Sequence, residues 1–253
     1  MAKPTVYSYS RLKSLSCLES YVRKYVQKEW GAPGIEAVVG IAVHKVIEDD
    51  HKSPIEITDG MAMLSDILDQ RIKPRTLDVR KLGVTHWRTH AMKCLANYYK
   101  SGRVAPEAVI GIERKIGMPL LQTPMASFMG VIDRAVKFDG NNFEVQDFKS
   151  GKVALDKYFQ MDHQLPLYAE LLRREYELPE DIVIPGRRLY LAENKVSTVI
   201  CDAERRAKAV DWARKSALKA QAVEADPQHL REKHQSALCD WCHFKKDCFP
   251  TGR

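Results

Sequence analysis

The chain has 253 residues, of which 45% are apolar, and a formal net charge of +7 from 40 Lys and Arg against 33 Asp and Glu. This apolar content is enough to bury a substantial core, so a chain that is mainly disordered is excluded. A membrane-spanning protein is also excluded, because no window approaches the roughly 20 consecutive apolar residues that a span needs. The chain start lacks an apolar stretch typical of a secretory signal, so we expect a cytoplasmic protein.

The first hundred residues are predicted to be helical. Apolar residues recur at helical spacing over residues 8–30, and Gly31 and Gly34 end that pattern. A second helix is predicted from about 36 to 50, and further helix over 60–100.

The pattern changes at Gly102, after which three β-rich segments follow. They cover residues 109–120, 128–138 and 142–150 and are bounded by Pro, Gly and Asn. The run Asp139–Asn142 is typical of a hairpin turn between the last two.

Beyond the hairpin the chain alternates between helix and strand. We expect a helix over 158–178, a strand or pair of strands over 186–200 and a basic helix over 204–225. This order predicts a mixed α/β fold, with a sheet core flanked by helices.

Asp147 and Lys149 lie two residues apart at the end of a predicted strand and therefore emerge on one face. Asp133 lies on the preceding strand of the same hairpin. Two carboxylates and an ammonium can hold a hard divalent cation and assist phosphodiester hydrolysis. Two exposed strand carboxylates with a salt-bridging lysine would give the same short pattern.

The length of the hairpin loop tests this interpretation. A four-residue loop over Asp139–Asn142 would place Asp133 and Asp147 on opposite faces of the sheet. We therefore expect a loop with an odd number of residues, or a β-bulge, if the two carboxylates share a cation.

The surrounding sequence resembles the RecB-like branch of the PD-(D/E)XK nuclease superfamily over nearly the whole chain. The motifs that carry the resemblance are, in order, GIAVHKVIE (40–48), GVIDR (130–134), EVQDFKSG (144–151) and QLPLYA (164–169). The resemblance implies a restriction-endonuclease-like fold, with a mixed sheet core, flanking helices and a helical N-terminal region.

The resemblance also implies a metal site for Mg²⁺ or Mn²⁺. Asp133 and Asp147 would bind the ion, with the backbone carbonyl of Phe148 as a further ligand and His44 supplying an imidazole. Glu113, on the strand before Asp133, is either another ligand or an edge-strand charge. A hydrogen-bonded histidine on an apolar helix is the alternative interpretation of His44.

Three other residues complete the implied catalytic set. Lys149 would position the attacking water or stabilise charge on the phosphate. Gln164 and Tyr168 are four residues apart on a helix, so they share one face and can both point into the cleft.

Three cysteines near the end of the chain, Cys239, Cys242 and Cys248, form a C-x₂-C-x₅-C pattern that favours metal ligation. With Cys17 as the fourth ligand, the pattern resembles the iron–sulfur arrangement of CRISPR-associated RecB-like exonucleases and the AddB nuclease domain. The resemblance implies a [4Fe–4S] cluster that joins the two ends of the chain.

Spacing alone does not separate this cluster from zinc. A Cys₃His zinc site would use the three C-terminal cysteines with His234 or His243. The remaining cysteines, Cys94 and Cys201, have apolar neighbours and are predicted to be core residues.

Surface residues give weaker signals for nucleic acid. Tyr158 and Phe159 follow the D-x-K strand and are placed to touch a DNA strand that enters the cleft. The last long helix carries basic residues that form either a DNA-backbone track or a solvated face. They are Arg205, Arg206, Lys208, Arg214, Lys215 and Lys219.

The resemblance implies one nuclease domain over 1–253, made of a helical region (1–101), the core (102–200) and a C-terminal helix with the cysteines (201–253). We expect a metal-dependent DNA exonuclease that acts on single-stranded ends in phage or prokaryotic recombination, repair or DNA processing. One alternative is a CRISPR-adaptation nuclease that trims DNA for an integrase partner. The other is a DNA-binding scaffold with weakened nuclease activity.

Overall fold

The computed structural model describes residues 5–31, 33–72, 82–121, 125–228, 235, 236, 239 and 242–249. The chain divides into two compact units. The first comprises Met1–Gly31, Gly117–Met129 and Lys208–Arg253, and the second comprises Ala32–Ile116 and Gly130–Ala207. The division of one nuclease domain into residues 1–101, 102–200 and 201–253 stays a prediction.

In the first unit, the predicted continuous helix over 8–30 is wrong. Strand β1 (Thr5–Tyr7) is followed by short helical pieces: α1 (Tyr9–Lys13), a 3₁₀ turn (Ser14–Ser16), α2 (Leu18–Tyr21) and a π-helical turn (Val22–Val26). Ser8 caps α1 by accepting a hydrogen bond from the Arg11 backbone N–H, and Cys17 adopts an extended conformation at φ −132°. Serine side chains compete for backbone groups, which favours caps over a long helix.

In the second unit, the helices predicted in the first hundred residues are confirmed where the chain is described. They are α3 (Ile35–Lys52), α4 (Ile57–Ile72) and α5 (Gly83–Asn97), which a π-helical turn extends to Gly102. Residues 73–81, within the predicted 60–100 helical stretch, lie outside the described residues. The three helices share one apolar cluster with residues of the sheet, including Phe148 and Leu189.

The described strands form a six-stranded mixed sheet in the order β1-β3-β4-β5-β6, with β2 paired to β3. The remaining strands are β2 (Val109–Leu121), β3 (Ala126–Lys137), β4 (Phe143–Lys149), β5 (Ile184–Tyr190) and β6 (Lys195–Cys201). The β1–β3 and β4–β5 pairs are parallel, and the β3–β4 and β5–β6 pairs are antiparallel. The predicted mixed α/β fold with flanking helices is confirmed.

Helices follow the sheet strands in the second half of the chain. The predicted helix over 158–178 is two helices, α6 (Asp156–Gln160) and α7 (Gln164–Glu175), and α8 covers Ala203–Ala225. The short α9 (Lys245–Cys248) ends the described chain. None of the described helices combines the length and apolar character that crossing a membrane requires.

The β3–β4 hairpin has an odd-length loop, as expected. Strand pairing sets Arg134 opposite Gln146 and Lys137 opposite Phe143, and the Phe138 N–H donates to the Asn142 carbonyl at 2.8 Å. Three residues, 139–141, therefore form the loop, and Gly140 at its centre takes the left-handed φ of 64° that glycine allows without strain. The same register continued by one residue sets Asp133 opposite Asp147, on one face of the sheet.

A buried arginine reinforces this register. Arg134 is fully buried, and its Nε donates to Gln146 Oε1 at 2.6 Å across the two strands. Its other nitrogens contact the Gly102 carbonyl at 2.8 Å and His51 Nε2 at 3.2 Å. Because burying an unpaired charge is costly, a slipped register that breaks this set is strongly disfavoured.

Close packing between β3 and α7 supports a test at Gly130. A Cβ atom there would lie 2.5 Å from Leu171 Cδ1 and 3.0 Å from Tyr168 Cε1, whereas one at Gly151 would meet nothing within 4 Å. We predict that Gly130→Ala lowers the free energy of unfolding by about 1–3 kcal/mol, because the added methyl overpacks the interface. Chemical denaturation measures this, and Gly151→Ala is the control; equal stability of both variants would contradict the packing.

Candidate active site

The candidate site begins where strands β3 and β4 stop pairing. The ladder ends at the Arg134–Gln146 pair, and the next backbone groups of β4 are bound by side chains instead. The Phe148 N–H donates to Asp133 Oδ2 at 2.7 Å, and the Phe148 carbonyl lies 3.1 Å from His44 Nε2. These two contacts bring Asp133 and His44 to the end of β4.

His44, Glu113 and Asp133 form a group with the geometry of a metal site. Their potential ligand atoms all lie within 4.8 Å of one another. His44 Nδ1 is 3.3 Å from Glu113 Oε1 and 3.8 Å from Asp133 Oδ2. Two carboxylates and an imidazole are ligands that Mg²⁺ or Mn²⁺ accepts, so the residues fit the implied ion.

The backbone of Glu113 is strained in a way that fits this position. Glu113 lies within β2 at a φ of 43°, in the left-handed region that non-glycine residues rarely adopt. Such a conformation costs about 1–3 kcal/mol and persists where surrounding structure enforces it, often at functional sites. Strain and the contact with His44 favour a role in the site over an edge-strand charge.

Asp147 lies in a separate set of polar contacts. Its Oδ1 accepts from Lys149 Nζ at 2.7 Å and Gln164 Nε2 at 3.0 Å, and its Oδ2 accepts from Arg188 Nε at 2.9 Å. Gln164 Nε2 also donates to the Tyr168 hydroxyl at 3.1 Å, so the predicted shared face of these two residues is confirmed. Asp147 is not in the three-residue donor group.

Arg188 is the site residue that the sequence did not reveal. It is directly opposite Asp147 in the parallel β4–β5 ladder. Its Nη2 lies 3.3 Å from Asp162 Oδ1 and 3.1 Å from Gln164 Oε1. The register between two parallel strands joined by a helix is not readable from local spacing, so no sequence signal identified this arginine.

The charges in the site shift two pKa values. Burial lowers the pKa of His44, but the Glu113 hydrogen bond and the charges of Asp133 and Glu113 outweigh it and raise the pKa to about 9. Burial and the charge of Asp147 raise the pKa of Asp133 to about 7. The shift of His44 reflects its carboxylate neighbours, whereas that of Asp133 reflects its burial first and the Asp147 charge second.

Two surface expectations are wrong. Arg206 is 1% exposed; it pairs with Glu170 at 3.3 Å and donates to the Cys201 carbonyl at 2.7 Å, so it cannot belong to a DNA-backbone track. Phe159 is also 1% exposed and cannot touch a DNA strand, whereas Tyr158 is 61% exposed.

The cysteines predicted to bind a cluster belong to the first unit. One cavity is lined by Cys17, Cys239, Cys242 and Cys248 together. The Ser236 N–H donates to Cys239 Sγ at 3.4 Å. Among the described residues, no three cysteine sulfurs lie within 4.8 Å of one another.

Cys94 and Cys201 are core residues, as expected. Both side chains are fully buried. Burial raises the pKa of each thiol to about 12, so neither is a reactive thiolate at neutral pH.

The Asp147–Arg188 pair gives a prediction about stability. Their side chains are 1% and 8% exposed, so Arg188→Met leaves a buried carboxylate short of its partner and is expected to cost about 3–5 kcal/mol. The double variant Asp147→Asn, Arg188→Met should lose clearly less free energy of unfolding than the sum of the losses of the two single variants. Urea denaturation measures all three values.

The control for this pair is Arg114→Met, which breaks the part-exposed Arg114–Glu175 pair. It should change stability by less than about 1 kcal/mol. Additive losses at Asp147 and Arg188 would show that the two side chains are not coupled.

Comparison with known proteins supplies the family. A family model described as the PD-(D/E)XK nuclease superfamily matches residues 6–249. A comparison with curated proteins found no match. A solved structure described as the crystal structure of SSO0001 matches with a TM-score of 0.41 and 11% identity, over 97% of this chain and 86% of that one. Because the family model extends over nearly the whole sequence, the chain belongs to the PD-(D/E)XK nuclease superfamily, whose members are metal-dependent nucleases that act on DNA.

Proposed function

We propose that this protein is a RecB-like exonuclease that hydrolyses single-stranded DNA from its ends with Mg²⁺ or Mn²⁺. One observation carries the proposal: the His44–Glu113–Asp133 donor group lies at the end of β4, beside Asp147 and Lys149. Metal-assisted hydrolysis of a phosphodiester uses a cation and a positively charged group near the phosphate. The donor group could hold the cation, and Lys149 carries the positive charge.

We assign the ion to His44, Glu113, Asp133 and the Phe148 carbonyl. When bound, it would polarise a phosphate oxygen and lower the pKa of a bound water. We retain Asp147 as a ligand in this proposal. Its Oδ1 already accepts from Lys149 and Gln164, whereas its Oδ2 accepts only from Arg188, so Oδ2 keeps a lone pair that can be shared with a cation.

The other residues orient the reacting groups. Lys149 is 39% exposed and is held 2.7 Å from Asp147, so its ammonium is available to attacking water or to phosphate charge. Gln164 donates to both Asp147 and Tyr168 and so keeps the α7 side of the site in a fixed arrangement. The tyrosine hydroxyl stays protonated, because burial raises its pKa.

The resemblance to RecB-like enzymes supports the preference for single-stranded ends. It also supports a role in phage or prokaryotic recombination, repair or DNA processing, with the enzyme in the cytoplasm where that DNA is found. Protein partners in recombination or integration belong to the same proposal.

Digestion of end-labelled DNA tests the proposed activity. With Mn²⁺ the wild type should shorten linear single strands from one labelled end and leave circular single strands intact. Asp133→Asn can still accept from the Phe148 N–H but removes a ligand charge, so we expect a loss of at least about 100-fold in rate.

The control for that experiment is Asp139→Asn in the exposed hairpin loop, which should retain full activity. Cleavage of circular DNA at the rate of linear DNA would contradict the exonuclease assignment. Unchanged digestion by Asp133→Asn would contradict the metal site.

We further propose that Cys17, Cys239, Cys242 and Cys248 bind a [4Fe–4S] cluster. The shared cavity supports a common ligand for all four. The choice of iron–sulfur over zinc rests on the resemblance of the C-x₂-C-x₅-C pattern with Cys17 to the RecB-like iron–sulfur nucleases.

Metal analysis of the purified protein tests this assignment. We expect four iron and four acid-labile sulfide per chain, with broad visible absorption. The iron content, the sulfide content and the absorption should all be lower in Cys17→Ser and Cys242→Ser. Cys94→Ser is the control and should keep the full iron content. A colourless wild type that contains zinc would refute the cluster.

A further inference from the structure

The short helix α6 and its two flanking residues present an exposed apolar surface. Leu155 is 65% exposed, Tyr158 is 61% exposed and Met161 is 73% exposed. They are spaced three residues apart, with Leu155 as the N-cap residue, Tyr158 within the helix and Met161 as the C-cap residue, so Tyr158 and Met161 lie on neighbouring positions of one side. We call these three side chains the α6 face. Large apolar side chains clustered in solvent mark interaction sites more often than isolated ones do.

This surface is fixed to the candidate active site. Phe159 is buried beneath it, with the Arg188 guanidinium 5.3 Å from the ring centroid. Asp162, directly after the α6 face, accepts from Arg188 and from the Gln164 N–H at 2.9 Å. Because Arg188 also binds Asp147, one arginine holds both the base of the α6 face and the carboxylate of the site.

The charge around the α6 face is positive. Residues 149–162 contain three lysines and two aspartates, and one of these aspartates, Asp162, is paired with Arg188. Lys152 and Lys157 are exposed, and Lys157 Nζ lies 4.9 Å from the Tyr158 ring centroid. An apolar and aromatic surface flanked by ammonium groups matches a ligand with flat apolar rings on an anionic backbone.

We propose that the α6 face receives unpaired nucleobases of the DNA strand whose backbone enters the active site. Tyr158 stacks on a base, Leu155 and Met161 contact its neighbours, and Lys152 and Lys157 face the phosphates. This inference rests on the proposed nuclease function and names the surface that selects its substrate. A base within a duplex has both faces covered by its neighbours, so the surface favours single strands with little preference among bases.

DNA binding by the full-length protein tests this surface without cleavage. Fluorescence anisotropy in EDTA, with a labelled oligothymidylate and a blunt duplex as probes, gives both dissociation constants. Tyr158→Ser should weaken single-strand binding by about 5- to 100-fold, the range that loss of one stacked base gives. Duplex binding should change by less than about twofold, and Tyr158→Phe, which keeps the ring, should bind as the wild type does.

Leu218→Ser is the matched control, since Leu218 is an apolar side chain on α8 that is 49% exposed. It should leave both dissociation constants unchanged. In Mn²⁺, Tyr158→Ser should raise KM for single strands and leave kcat near the wild-type value, because the metal site is intact.

The outcomes separate this surface from the nuclease function. Unchanged single-strand binding by Tyr158→Ser, with cleavage by the wild type, overturns the α6 face and leaves the nuclease standing. Selective loss of single-strand binding, with no cleavage by the wild type in Mn²⁺, supports the surface and overturns the nuclease. Normal DNA binding by Tyr158→Ser combined with loss of self-association in light scattering would assign the face to a protein contact and overturn the proposal.

Discussion

The hydrogen bond from buried Arg134 to Gln146 holds the strand register on which the candidate site depends. These residues are the last pair of the β3–β4 ladder, and their register carried one residue further sets Asp133 across from Asp147. A slip of one residue would turn one of the two carboxylates to the other face. The three-residue loop centred on Gly140 permits only the observed strand register unless a bulge is present. Any other register would leave the buried Arg134 guanidinium without its partners, which is costly. The hydrogen bond between Arg134 and Gln146 on one face of the hairpin thus fixes the positions of Asp133 and Asp147 on the opposite face.

The end of that ladder creates the site itself. Beyond the Arg134–Gln146 pair, the backbone groups of Phe148 are satisfied by Asp133 and by His44 rather than by a neighbouring strand. Buried backbone groups need hydrogen-bond partners, and here the side chains of Asp133 and His44 provide them where the strands no longer pair. The same contacts that satisfy the backbone therefore set the spacing of the metal donors. Glu113 completes the group from β2 through a backbone conformation that is locally unfavourable.

Much of this arrangement was predictable from local pattern, and the rest depends on long-range pairing. Strand periodicity predicted the β3–β4 hairpin, and the parity argument required an odd loop or a bulge, of which the odd loop is found. Helical spacing predicted that Gln164 and Tyr168 share a face, which the hydrogen bond between them confirms. Arg188 was missed because it reaches Asp147 only through parallel pairing with β5. The burial of Arg206 and Phe159 was missed because composition does not show which side of a helix packs. The helix predicted over 8–30 is broken at Cys17, where the backbone is extended.

The distribution of charge argues for where a divalent ion belongs. Asp147 and Asp162 share their surroundings with Lys149 and Arg188, so two negative charges already meet two positive ones. Glu113 and Asp133 contact the His44 imidazole, whose raised pKa makes its proton their counter-charge, and a metal ion bound to the neutral imidazole would take that proton's place. A dication at this group would balance it, whereas one held by Asp147 alone would compete with an ammonium and a guanidinium. The two carboxylate sets therefore differ in their counter-charges: one is matched by its own side chains, and the other is where we propose that the ion takes most of its ligands.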